Sequence, residues 1–129
     1  MTIEIPVSWG DFFDRITILE IKSQRLQDPI QVENVKKELR LLTELTKRHF
    51  AGPEDLDALI EQLRTVNKKL WDIENAIRKC ELAKDFGDEF IALARSVYMT
   101  NDKRADLKYQ INQLLDSDLV EEKAYQAYK

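Results

Sequence analysis

Five consecutive polar residues could form a ligand site, and they are Thr100, Asn101, Asp102, Lys103 and Arg104. On the helix that carries them, Arg104 falls on the apolar side, where an uncompensated charge costs several kcal/mol. It therefore needs a carboxylate or several acceptors. A small anion could bind here, in a site closed by Glu20 or Asp14 from the first helix. The alternative is a buried ion pair that fixes the register of the helices.

The residues that we predict for the ligand site come from two segments, and they are Asp14, Arg15, Glu20, Asn101, Asp102, Arg104 and Lys108. No catalytic set can be assigned among them. If the charge of Arg104 is instead compensated by an ion pair, its candidate partners are Glu20, Asp72 and Glu74.

Other residue types with catalytic potential favour structural roles. The single histidine, His49, follows Lys47 and Arg48, which suits the negative end of a helix dipole. The single cysteine, Cys80, lies on an apolar stripe, and no histidine can be assigned to activate it. The sequence has no His-x-x-x-His or Cys-x-x-Cys spacing and no glycine-rich phosphate loop, so we predict neither a metal nor a cofactor.

Composition narrows the class of protein. A chain of 129 residues with 34% charged and 43% apolar residues fits one globular domain spanning residues 1–129. The net charge of −4 argues against nucleic acid as a partner. The sequence shows neither a signal peptide nor an apolar run long enough to span a membrane, so we expect a cytoplasmic protein.

Start and stop signals predict four long helices and little else. Ser8 can cap a first helix over residues 9–27, with Asp11 completing a capping box. Asp28 and Pro29 suit the start of a second helix that ends near Phe50. A third helix covers residues 53–82 and a fourth covers residues 88–115. Residues 2–7 alternate like a short extended arm, and a last capped segment covers residues 119–128.

The third helix carries apolar residues at alternating spacings of four and three, and they are Leu59, Leu63, Val66, Leu70, Ile73, Ile77 and Cys80. This spacing is typical of a coiled coil. Short connections between long helices favour antiparallel hairpins. We therefore predict an all-α fold: an antiparallel helical bundle of long, coiled-coil-like hairpins.

The fourth helix departs from this pattern near its middle. One register of its apolar stripe places Asn101, Arg104 and Lys108 inside, and a second register through Thr100 and Leu107 still includes Arg104. The first helix is apolar on most sides. Such a helix is either central in its fold or buried in an oligomer, which is the main indication of a homodimer.

Two segments resemble a known family. Residues 7–11 read Val-Ser-Trp-Gly-Asp and residues 14–22 read Asp-Arg-Ile-Thr-Ile-Leu-Glu-Ile-Lys. Residues 98–105 read Tyr-Met-Thr-Asn-Asp-Lys-Arg-Ala, and Leu-Val-Glu-Glu-Lys follows at 119–123. Together they resemble a family of small bacterial proteins of unknown function, over nearly the whole chain. The resemblance implies no activity, but it implies that these polar residues belong to the family's signature.

Two functions from different classes follow. The first is an interaction or assembly module that dimerises through the first helix or the long hairpin. The second is a small helical enzyme or a binder of an anionic metabolite that uses the residues around Arg104. The resemblance suggests that such a binder would serve surface-polysaccharide or sugar-transfer pathways.

Overall fold

The computed structural model describes residues 1–49 and 52–129, and these contain four helices. They are α1 (Trp9–Arg25), α2 (Pro29–His49), α3 (Glu54–Leu82) and α4 (Asp88–Leu114). The all-helical prediction is confirmed. The predicted boundaries agree to within two residues wherever both are described. The predicted end of α2 at Phe50 lies outside the described residues.

The predicted caps position α1 and α2. The side chain of Ser8 accepts a hydrogen bond from the backbone N–H of Asp11 at 3.1 Å, which starts α1. The side chain of Asp28 accepts one from the N–H of Ile30 at 2.8 Å, which starts α2. The carboxylate of Asp11, predicted to complete a capping box, forms an ion pair with Lys108 instead.

Helix α1 is the central element, since it packs against α2, α3 and α4. It runs antiparallel to α4, because Gly10 lies beside Asn112 and Asp14 lies beside Arg104. Helices α3 and α4 form the long hairpin. The apolar character of α1 is thus explained within one chain, so that character alone no longer indicates a dimer.

The core lies where α1 meets the hairpin. Its buried residues are Phe12, Phe13, Ile16, Leu56, Leu63, Leu107 and Ile111. All seven residues of the α3 stripe are buried or half-buried, as the spacing predicted. On α4 the buried residues include Thr100, Leu107 and Ile111, which belong to the second of the two registers considered.

Helix α2 lies on the outside of this core. None of its described residues is buried, and among the described helices it packs against α1 alone. Leu39 and Leu42 contact the core, whereas Leu41 and Leu45 are exposed. No helix in residues 1–49 or 52–129 has the length and apolar character to cross a bilayer.

The prediction of a capped segment over residues 119–128 is wrong, since all of residues 117–129 are described and none is helical. The cap was predicted from Asp118 and Glu121, and Glu121 and the neighbouring Ser117 bond elsewhere. The Ser117 hydroxyl accepts a hydrogen bond from the N–H of Trp9 and donates one to the carbonyl of Leu119. The carboxylate of Glu121 binds Lys108. This tail folds back along α4 of the same chain.

Candidate functional site

A bidentate ion pair joins α1 to α4 at the centre of the molecule. Arg104 donates from Nε to Oδ1 of Asp14 at 2.9 Å and from Nη2 to Oδ2 at 2.5 Å. Asp14 is buried, with 6% of its surface exposed. Two parallel hydrogen bonds fix both side chains in one plane, so this pair sets how α1 sits against α4.

Residues of α1 and α3 satisfy the rest of this carboxylate. Asn67 donates from Nδ2 to Asp14 Oδ1 and to Thr17 Oγ1, each at 2.9 Å. The Thr17 hydroxyl in turn donates to the backbone carbonyl of Asp14 at 2.8 Å. In the described part of the chain, no buried side-chain nitrogen or oxygen lacks a hydrogen-bond partner. Such completeness is typical of a structural network.

Arg104 stays cationic under all ordinary conditions. The hydrogen bonds that the guanidinium donates to Asp14 raise its pKa, burial lowers that pKa, and the charge of Asp14 raises it again, with a net increase. The guanidinium therefore cannot act as a general acid or base. Its side chain is 30% exposed, so part of it remains open to solvent.

Lys108 forms a second bridge, one helical turn further along α4. Its Nζ lies 2.9 Å from Asp11 Oδ1 and 2.7 Å from Glu121 Oε2, which links α1, α4 and the tail. Burial lowers the pKa of Lys108, but hydrogen bonds with Glu121 and Asp11, together with the charges of Asp14 and Asp11, outweigh it, so the net pKa is raised. A raised pKa keeps the amine protonated, which is the opposite of what a nucleophilic lysine needs.

A close backbone approach aligns these pairs. The N–H of Gly10 donates to Asn112 Oδ1 at 2.7 Å, and both residues are buried. A Cβ on Gly10 would lie 2.5 Å from the backbone carbonyl oxygen of Lys108. Glycine is therefore required where α1 crosses α4.

The structure brings some of the predicted site residues together and separates others. Asp14, Arg104 and Lys108 gather between α1 and α4. Asn101 and Asp102 lie on the far side of Arg104, toward the tail. Glu20 does not join this group, since its carboxylate pairs with Arg64 of α3.

The expectation that Arg104 pairs with Glu20, Asp72 or Glu74 is wrong. Glu20 binds Arg64 at 2.7 Å, and Asp72 binds Arg25 at 2.6 Å. The remaining candidate is turned to solvent beside Arg78. Asp14, which was proposed only as a residue that closes a ligand site, is the partner. It lies at the position on α1 nearest to Arg104.

Arg15 is an exposed residue at this end of α1. Its Nε donates to Glu38 Oε1 at 2.6 Å, which connects α1 to α2. An exposed pair of this kind contributes little to stability, on the order of 0–1 kcal/mol. Arg15 therefore marks the surface of the molecule and not the buried network.

Sequence reasoning missed four residues that complete the site: Gly10, Thr17, Asn67 and Asn112. Asn67 directly follows the stripe residue Val66, and a polar residue next to an apolar stripe usually faces solvent. Thr17 stands within the segment at residues 14–22 that resembles the family, but nothing there predicted its partners. No short-range signal marks their contact with each other, because Asn67 and Thr17 lie on different helices, 50 positions apart.

Arg104 lines three grooves in the described part of the chain, and two of them are large. The tail groove, with a volume of about 780 Å³, is lined by α4 residues such as Asn101 and Asp102 and by the tail from Glu121 onward. The arm groove, with a volume of about 830 Å³, is lined by Ile3, Ile5 and Val7 of the arm (residues 2–7) and by residues of α1, α2 and α4. Asp14, Arg15, Arg104 and Lys108 all line the arm groove.

The other residues with catalytic potential, Cys80 and His49, lie in environments typical of structural roles. Cys80 is buried, and burial, with smaller effects of Glu89 and Asp85, raises the pKa of its thiol. His49 packs against Trp9 at 6.4 Å between ring centroids. Within residues 1–49 and 52–129, no three His, Cys, Asp or Glu side chains cluster closely enough to hold a metal ion.

The chain belongs to a family of unknown function (DUF6165), whose model matches residues 1–128. This confirms the resemblance drawn from the two segments. Comparisons with curated proteins and with solved structures gave no match.

Proposed function

We propose that this protein is a helical interaction module that acts by forming a homodimer. The proposal is drawn from the geometry, because the family is of unknown function. The observation that carries the proposal is the apolar surface around the arm groove. Ile3, Ile5 and Val7 of the arm are exposed there, next to Leu45 of α2. Contiguous exposed apolar surface rimmed by polar residues is typical of protein interaction sites.

The chemistry around Arg104 supports a role in architecture. Its network is complete without a ligand, and both cations have raised pKa values. Cys80 is a poor nucleophile, because its thiol is kept protonated. These properties suit a rigid scaffold better than an active site, which normally holds groups with pKa values tuned toward neutrality.

A second candidate is a binder or enzyme for an anionic metabolite, in surface-polysaccharide or sugar-transfer pathways, at the tail groove. The exposed part of the Arg104 side chain, which lines that groove, supports it. The charges favour it less. Asp102 and Glu121 also line the tail groove, and the fork of Arg104 is already occupied by Asp14. We rank it second for that reason.

Size-exclusion chromatography with light scattering separates the two candidates. At micromolar concentration the module should have twice the monomer mass of 15.2 kDa. A chain that stays monomeric and captures no partner in a pull-down contradicts the module. A monomer whose thermal stability rises with an anionic metabolite, but not after Arg104→Met, supports the second candidate. With a net charge of −4, we propose no nucleic-acid partner for either.

A further inference from the structure

The arm groove is a part of the surface where α1 is not covered by the other helices. Residues at helical spacing on α1, including Arg15, Ile18 and Lys22, line it from below. Leu42 and Leu45 of α2 line one side, and Arg104 and Lys108 of α4 line the other. The groove therefore combines an apolar side with a charged side.

Seven charged side chains line this groove, and one cation among them has no ion-pair partner. Six of the seven form ion pairs with each other: Arg15 with Glu38, Arg104 with Asp14, and Lys108 with Asp11. Among the described residues, the half-buried Lys22 forms no ion pair. Lys22 is thus the one charged side chain of this groove without an ion-pair partner among the described residues, whereas Lys108 pairs both with Asp11 and, outside the groove, with Glu121.

The arm carries exposed apolar side chains and a negative charge, which complement the apolar side of the groove and its unpaired cation. Ile3, Ile5 and Val7 are 89%, 70% and 49% exposed, so their own chain does not bury them although they border the groove. Glu4 is the arm's single carboxylate. It too has no ion pair within the part of the chain that the structure describes.

We infer that the arm groove binds the arm of a second copy of this chain, so that Ile3 and Ile5 of each copy lie against Leu42 and Leu45 of the other. The inference rests on the proposed homodimer and names its interface. One chain carries both the unburied apolar segment and the unfilled groove, which is what a two-fold, self-complementary interface requires. Glu4 of each copy supplies the negatively charged partner that Lys22 of the other copy lacks within its own chain.

The single proline of the arm restricts how the arm docks. Pro6 has no N–H to donate, so the arm cannot continue as a regular hydrogen-bonded strand past that residue. Position 6 therefore contributes no backbone donor, and we expect the side chains of Ile3 and Ile5 and the charge of Glu4 to carry most of the recognition. Substitutions of these side chains are consequently direct tests of the interface.

Cysteine cross-linking between two different full-length variants tests whether the contact is made in trans. Both variants carry Cys80→Ala; one adds Ile5→Cys and the other adds Leu45→Cys. Mixed under mild oxidation, they should give a disulfide-linked heterodimer. The matched control replaces Leu45→Cys by Ile91→Cys, an apolar position on α4 that is more exposed (53% against 39%), and should still give several-fold less product. Equal yields from both mixtures overturn the inference.

A charge exchange supplies an independent test. Glu4→Lys and Lys22→Glu should each raise the dimer dissociation constant several-fold, and the double variant should recover most of the wild-type affinity. These residues lie outside the core, and circular dichroism checks that each variant folds. Additive losses in the double variant contradict the pairing of Glu4 with Lys22.

The failures of the two proposals are distinguishable. A wild-type dimer that is indifferent to Ile5→Glu and gives no preferential cross-link leaves the homodimeric module standing and overturns the arm exchange. A wild-type chain that is still monomeric at about 100 µM overturns both proposals, because even a weak specific protein contact forms a dimer at that concentration.

Discussion

The backbone of Gly10 lies against the backbone carbonyl of Lys108 so closely that a Cβ at Gly10 would sit 2.5 Å from that oxygen. This contact brings α1 and α4 together one turn before Asp14 reaches Arg104. The ion pair and the close approach therefore depend on each other. We expect a side chain at position 10 to push the two helices apart and so to disturb the bidentate geometry.

Gly10→Ala should destabilise the fold by about 2 kcal/mol or more, because the methyl group meets backbone that cannot move away on a flexible side chain. Gly87→Ala is the matched control. A Cβ there meets only the side-chain oxygen of Asp85, at 3.2 Å, so the loss should stay below about 1 kcal/mol. Urea unfolding followed by circular dichroism measures both. Equal losses for the two variants would show that the close approach is not a constraint.

The pair of Asp14 and Arg104 should behave as a coupled unit. Either Asp14→Leu or Arg104→Met alone should cost about 2–4 kcal/mol, because the remaining charge is left partly buried without its partner. The double variant should lose much less than the two single losses combined. Arg95→Met, at an exposed position on α4, is the control and should change stability little. Additive losses in the double-mutant cycle would argue against the coupling.

The fold was predictable because its signals are local. The cap on Ser8 and the alternating stripe through Leu63 and Ile73 depend only on residues within a few turns, and the structure confirms both. The need of Arg104 for a compensating partner was also predictable from its apolar neighbours. Its partner was not, since Asp14 lies 90 positions away in sequence and several carboxylates could reach that depth.

The tail shows the same limit from the other direction. Asp118 and Glu121 have the spacing of a helix start, but tertiary contacts are stronger than this local preference. Glu121 forms an ion pair with Lys108, and Ser117 bonds to the start of α1 and to Leu119. The supercoiling of the α3–α4 hairpin, by contrast, stays a prediction.

Stability should fall at alkaline pH partly through Lys108. Its pKa in the folded chain is raised above the ordinary value of 10.5, so its contribution is complete below that pH and is lost as the pH rises through the folded value. Denaturant unfolding from about pH 8 to about pH 11.5 should show a flatter decline for Lys108→Met than for the wild type. Lys103→Met, at an exposed position on the same helix, should follow the wild-type curve. Parallel curves for all three proteins would contradict the raised pKa.

Cys80 should resist thiol reagents while the chain is folded. It is 7% exposed, and burial raises the pKa of its thiol, so little reactive thiolate is present. At about pH 8, labelling by a disulfide reagent should be at least ~10-fold slower than in denaturant. Equally fast labelling in both conditions would mean that this end of the α3 stripe is open.

The most direct test of the proposed homodimer is subunit exchange between wild-type chains labelled with donor or acceptor dyes at the C-terminus. Mixed over a range of about 1 to 100 µM, the two populations should develop energy transfer that unlabelled chain competes away. The transfer should diminish on dilution, as a reversible dimer requires. If no transfer develops at the highest concentration, the chain does not act by self-association and the proposed function is wrong.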